Sequence, residues 1–178
     1  MTRLARRTYL KVIHWTVLPL LIWFLIIGPP EAFALGSWGF LIHSNLALVF
    51  VLMCLFWTGD FMRNGLATRR SPKLPQWALT VHWWMHRLLI WGLFFVAVSG
   101  FLLGLTSNSL LKAGGFLPIA PPLGLPRMND LIGTVHIIEF YGLGALVVLH
   151  AVFHIWRHFW LRDQALKIMV PRVFHRFL

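Results

Sequence analysis

Four stretches of the chain are apolar over lengths that suit a membrane interior: Val12–Ile27, Trp38–Trp57, Trp77–Leu105 and Leu131–Trp160. A helix that crosses a bilayer needs about 20 residues of this kind. The first window is shorter than that and must extend at one end. Hydrophobic residues make up 58% of the chain and charged residues 12%, against about 45–50% and about 25% in soluble domains. No internal repeat, low-complexity tract or separate soluble domain interrupts the pattern. The expectation is an all-α membrane protein, a bundle of four transmembrane helices forming a single domain over residues 1–178.

The formal charge of +11 suggests nucleic acid at first sight, but its distribution argues against that partner. The basic residues flank the apolar spans. Arg3, Arg6, Arg7 and Lys11 precede the first span. Arg63, Arg69, Arg70 and Lys73 lie between the second and third, and Arg157, Arg162, Lys167, Arg172 and Arg176 lie at the end. The loop "GPPEAFALGS" has no Lys or Arg, and the last loop has Lys112 and Arg127 alone. Cytoplasmic loops carry the excess of Lys and Arg. Both termini and the middle loop are therefore expected in the cytoplasm, with the first and third loops on the outer side. Ten Trp suit belts at the headgroup level.

Ionisable groups inside a bilayer are costly and mark function by default. The chain has nine histidines. In "VHIIEFYGLGALVVLH", His136 and His150 are fourteen residues apart. In a helix that is a rise of about 21 Å and nearly four full turns, so both rings point the same way at two depths. His43 matches the depth of His136 near the outer boundary. His14 lies near the inner boundary, where its partner on the fourth span is His150 or His154. Spacing does not choose between them, because His150, His154 and His158 recur every four residues on one face. The alternative for each is a histidine filling a polar niche in the bundle.

The ligand type narrows the metal. Cys54 is the only cysteine, so no CxxCH attachment and no thiolate cluster exist. Imidazole suits zinc, copper, iron or nickel, and a zinc transporter would want more carboxylate than the single intramembrane Glu139. Paired imidazoles from facing helices fit low-spin haem iron held without covalent attachment. Gly39, Gly100, Gly104, Gly142 and Gly144 are expected to make room for so large and flat a group.

Four segments carry a family resemblance: "VIHW", "LIHSNLALVF", "HRLLIWGLFFVAVSGFLLG" and "VHIIEFYGLGALVVLHAVFHIWRHFWLRDQALKIMVPR". The last contains His-x13-His, a further histidine near the helix end, an acidic residue and an "MxPR" ending. In order and spacing the chain resembles the bacterial cytochrome b561 family, over essentially its whole length. The resemblance implies a multi-pass protein of the bacterial inner membrane with two haem b groups, exchanging electrons with ubiquinone or another quinone. It implies axial ligands at His14, His43, His136 and His150, paired His43 with His136 and His14 with His150. It also implies a non-ligand histidine at His86, which together with Arg87 would meet quinone or a haem propionate. The chain departs from the family where Ile137, rather than a polar residue, follows His136. It departs again where Arg157 stands in place of the first of two adjacent histidines.

Two functions compete on this reading. In the first, an outer-face donor passes electrons through the haems to quinone; some family members act as superoxide oxidases. In the second, the chain is the electron-transfer cytochrome b subunit of a larger complex, with a hydrogenase or dehydrogenase as its redox partner. A haem-free structural or transport bundle is the third and weakest. The loop from Thr106 to Asp130 is 25 residues long, and loops beyond about 12–15 residues are usually functional or disordered. It is expected to cover the outer haem, anchored by Leu111, Phe116 and Leu117. Lys112 and Arg127 would attract an anionic substrate, with Asp130 as a competing partner for Arg127.

Overall fold

The structure, a computed structural model, describes residues 3–67, 71–170 and 172–177. Arg69 and Arg70 lie outside the described residues, as do the side chains of Arg3 and Arg172.

Four long helices dominate: α1 (Arg3–Ile26), α3 (Ser37–Asn64), α4 (Gln76–Thr106) and α5 (Pro126–Phe159). All four are long and apolar enough to span a membrane. Each extends beyond its apolar window. The first gains its missing length at the N-terminal end. α3 continues through Gly59, Asp60 and Arg63 because its polar last turns find partners: Arg6 Nη2 is 2.7 Å from Asp60 Oδ2, and Asn64 Nδ2 donates to Asp60 Oδ1 at 2.9 Å. Gly65 closes the helix at φ 69, a left-handed conformation that an L side chain resists.

The loops hold more structure than their composition suggests. A short helix α2 (Pro29–Ala34) opens on two prolines, which favour a helix's first turn because no N–H is lost there. Ala32 is fully buried, and its carbonyl leaves no space for a Cβ on Gly39 of α3. The last loop spans 19 residues rather than 25, since α4 runs to Thr106 and α5 starts at Pro126. Within it, β1 (Leu111–Ala113) and β2 (Leu117–Ala120) form an antiparallel hairpin, with Lys112 opposite Pro118. Asn129 Nδ2 donates to Leu103 O at 2.8 Å and to Thr106 Oγ1 at 2.9 Å, tying the start of α5 to the end of α4. A five-residue helix α6 (Ala165–Met169) and a 3₁₀ turn over Arg172–Phe177 follow α5.

The helices pack in a ring. α4 contacts α5 and α3 most, α1 contacts α3, and α1 touches α5 least. The mid-bundle core includes Ile13, Val17 and Leu21 of α1, Phe50 and Cys54 of α3, Val96 and Ala97 of α4, and Leu143 of α5. Many large apolar side chains face outward, among them Leu52, Ile138, Val148 and Leu149, while Arg157 and His158 are buried. Apolar outside with charge inside is the arrangement a bundle takes in lipid, where ionisable groups face the interior. Trp38 is exposed near one end of the bundle, and Trp77, Trp84 and Trp160 near the other.

Among the described residues, the start of α1, the segment after α5 and both flanks of the α3–α4 connection lie at one end of the bundle. Arg6 Nη2 donates to Gly65 O at 2.7 Å, and Lys73 Nζ donates to Arg162 O at 2.9 Å. We call this the tail end and the opposite one the hairpin end. From the charge distribution the tail end is expected in the cytoplasm. In a Cys54→Ala background, a cysteine replacing Lys112 is expected to react with an impermeant thiol reagent applied from outside, and one replacing Ser71 is not. The reverse labelling would invert the orientation.

Candidate functional site

At the hairpin end, His43 projects from the second turn of α3 and meets Phe24 of α1 edge-on, with ring centroids 5.0 Å apart. Its Nδ1 is buried and has no hydrogen-bond partner. The β-hairpin is pinned around the same turn: Gly114 N donates to Asn45 Oδ1 at 2.5 Å, and a Cβ on Gly115 would lie 2.9 Å from Leu41 Cδ1. Leu41 and Asn45 bracket His43 in sequence. Leu111 reaches Gly104 of α4. Phe116 and Leu117 do not anchor the loop as expected; they are 82% and 57% exposed, because the tight turn at Gly114 and Gly115 aims them away from the bundle.

His136 of α5 is held from α4. Ser99 Oγ lies 2.9 Å from His136 Nδ1 and donates to Glu139 Oε2 at 2.7 Å. A hydroxyl has one hydrogen. With that hydrogen given to the carboxylate at 2.7 Å, the nearer acceptor, rather than to the Val96 carbonyl at 3.2 Å, the oxygen accepts from His136, Nδ1 carries the proton, and Nε2 keeps its lone pair. This is how metal-binding imidazoles are commonly oriented, through a bond at the far nitrogen. Gly100 gives the ring its space, since a Cβ there would lie 2.9 Å from His136 Cε1. Of the five glycines expected to admit haem, Gly100 is the one against a candidate ligand. Gly39 seats α2, Gly104 meets Leu111, Gly144 meets Leu25, and Gly142 has open space. Glu139 and Gly142 line a recess of about 390 Å³ along the α4–α5 seam, with Leu88, Gly92 and Phe95 opposite.

The tail end gathers the other histidines. His14 packs edge-on to Trp57 of α3, its ring 6.1 Å away, and has a buried Nδ1 without a partner. His150 also has an unpartnered buried Nδ1, and His154 an unpartnered buried Nε2. His86 stands between the helices, 4.9 Å from the His150 ring. Arg87 does not join it. One residue further around α4, its guanidinium lies 4.0 Å from the Trp83 ring centre, towards Phe61 of α3 at 5.7 Å. Its Nε is buried and unpartnered.

Lys112 and Arg127 are both exposed on the hairpin side. Among the described residues the two ion pairs are Arg6–Asp60 and Arg157–Asp163, so Asp130 does not neutralise Arg127. Nothing in the spacing of the histidines points to Ser99. Its signal was a lone hydroxyl in the apolar run "FFVAVSGF", where a polar group needs a partner.

The residues fit haem. Buried polar atoms in folded proteins nearly always find partners, yet His14, His43 and His150 each hold a ring nitrogen that has none. His136 is oriented through its Nδ1 by Ser99, and the sole thiol, Cys54, is buried in the apolar core. A family model for prokaryotic cytochrome b561 matches residues 5–172. No curated protein gives a significant match. The matched region takes in all four membrane-spanning helices and every candidate ligand, and the chain therefore belongs to the prokaryotic cytochrome b561 family, as a multi-pass membrane protein that binds b-type haem and transfers electrons.

Proposed function

We propose that the chain holds two b-type haems, one at each end of the bundle, and moves electrons between a donor at the hairpin end and quinone at the tail end. Its location would be the bacterial inner membrane. The observation that carries this reading is the set of buried, unpartnered imidazole nitrogens at two heights. His43 and His136 serve the hairpin-end group, and His14 and His150 the tail-end group. The family resemblance assigns His150 rather than His154, whose ring centroid lies 4.5 Å away one turn further along α5.

Each haem, when bound, supplies a one-electron redox centre. The protein's part would be to hold each haem between two imidazoles, from His43 and His136 or from His14 and His150, and to set its potential through burial and hydrogen bonding. Ser99 fixes the tautomer of His136. Glu139 and His86 are the intramembrane groups suited to carrying protons. His86 is the quinone contact, and Arg87, with its buried Nε, suits a haem propionate.

Superoxide is the donor we favour. Two superoxide ions give up one electron each, and quinone takes two electrons and two protons. Lys112 on the hairpin and Arg127 on the first turn of α5 supply positive charge where an anion would arrive, which raises its on-rate. Stopped-flow mixing of superoxide with purified protein and quinone tests this. Lys112→Gln is expected to lower the second-order rate and flatten its salt dependence with the haem spectrum unchanged. His86→Ala is expected to slow quinone exchange and leave both haem bands. No superoxide-to-quinone activity in the wild-type protein would favour the subunit of a larger complex, with the hairpin as its docking surface.

A further inference from the structure

The proposed electron path leaves His82 and His154 without a task. His82 and His86 stand one turn apart on α4, and His154 faces them from α5. Ring centroids are 4.3 Å apart for His82–His86, 5.8 Å for His82–His154 and 5.5 Å for His86–His154. One ring nitrogen from each lies within 4.8 Å of the other two.

We propose that His82, His86 and His154 bind a divalent transition-metal ion of the zinc class, clamping α4 to α5 beside His150. Imidazoles four residues apart on one helix point at a common place, and a third from the facing helix completes a three-nitrogen face. Imidazole is a preferred zinc ligand, at about 2.0–2.1 Å, and a three-ligand site keeps a fourth position for water. Tetrahedral geometry at that distance sets the nitrogens about 3.4 Å apart, so the observed triangle closes by small side-chain rotations.

Two details favour an ion over three stacked neutral rings. His86 Nδ1 is 2.8 Å from the carbonyl oxygen of His82. A carbonyl only accepts, so Nδ1 carries the hydrogen and Nε2 keeps the lone pair a metal needs. His154 Nε2 is buried with no partner, a loss that an ion would remove. The local charge also permits it. Arg157 follows His154 by three residues, but its guanidinium is already paired with Asp163 at 2.7 Å, the two side chains being 1% and 2% exposed. An occupied site would take His86 away from quinone and slow electron exchange. That consequence rests on the proposed function, whereas the binding itself does not.

The test uses haem-loaded protein and zinc sulfate. Elemental analysis after desalting is expected to find one zinc per chain in addition to haem iron, with the haem bands unmoved. His82→Ala and His154→Ala are each expected to weaken zinc binding about tenfold or more while keeping both haem bands; outer-shell changes alone cost a metal site about 10–100-fold. His82→Gln and His154→Gln, which keep side-chain bulk, serve if the alanine forms do not fold. Three results would overturn the site: zinc binding unchanged in these variants, zinc taken up only after haem is stripped, or a haem lost in His154→Ala. If zinc binds as expected but quinone exchange keeps its rate, the metal site stands and the assignment of His86 to quinone fails.

Discussion

Alanine at His136 or at His43 is expected to remove the hairpin-end haem and leave the tail-end one, halving the haem content per chain. Alanine at His14 or His150 is expected to do the reverse. The two heights explain the independence. His136 and His150 are about 21 Å apart along α5, and the core residues Val17, Leu21, Phe50 and Leu143 lie between the levels. Pyridine haemochrome quantification and reduced-band spectra of the four variants read the result directly. Ser99→Ala is a graded version of the same experiment. It keeps the ligand and removes the group that orients it, so haem at His136 is expected to bind about 10–100-fold more weakly. A haem lost in His154→Ala but kept in His150→Ala would reassign the tail-end pair.

The heights of these histidines were legible because a helix rises by a fixed distance per residue and all four spans announce themselves by hydropathy. Their partners were not legible. Ser99 and His136 are 37 residues apart, and their meeting depends on how far each helix is rotated about its axis. In a soluble bundle the polar face reports that rotation. Here the face towards lipid and the face towards the core are both apolar, as outward Ile138 and Val148 beside inward Leu143 show, so the pattern carries little rotational information. The same degeneracy separated Arg87 from His86, adjacent in sequence yet aimed at different helices. The hairpin escaped notice for another reason. Its strands are only three and four residues long, and their place over His43 is fixed by Asn45 and Leu41 rather than by any local pattern. The glycine-rich turn "KAGGF" was the available signal, since Gly114 and Gly115 both adopt positive φ.

Removing the carboxylate of Asp163 is expected to destabilise the protein by about 3–5 kcal/mol, the usual consequence of leaving one half of a buried ion pair without the other. The pair closes the tail end. Arg157 Nε and Nη2 donate to Asp163 Oδ2 at 2.9 and 2.7 Å, and Asp163 Oδ1 accepts from Ala165 N at 2.9 Å, where α6 begins. The chain turns back sharply to achieve this: Arg162 and Gln164 both take left-handed conformations, at φ 49 and φ 57, which cost L residues roughly 1–2 kcal/mol each. Only a strong interaction holds such a turn. Asp163→Ala would strand a guanidinium that is 1% exposed and leave the first N–H of α6 unmet. Thermal unfolding in detergent is expected to show a large fall in Tm, and limited proteolysis to cut within 160–177. Replacing both partners tests the cause. Arg157→Met with Asp163→Ala removes the charges together, and paired replacement of a buried ion pair is often neutral, so most of the lost stability should return. A double variant as unstable as Asp163→Ala would mean that capping α6, rather than neutralising Arg157, is what Asp163 contributes.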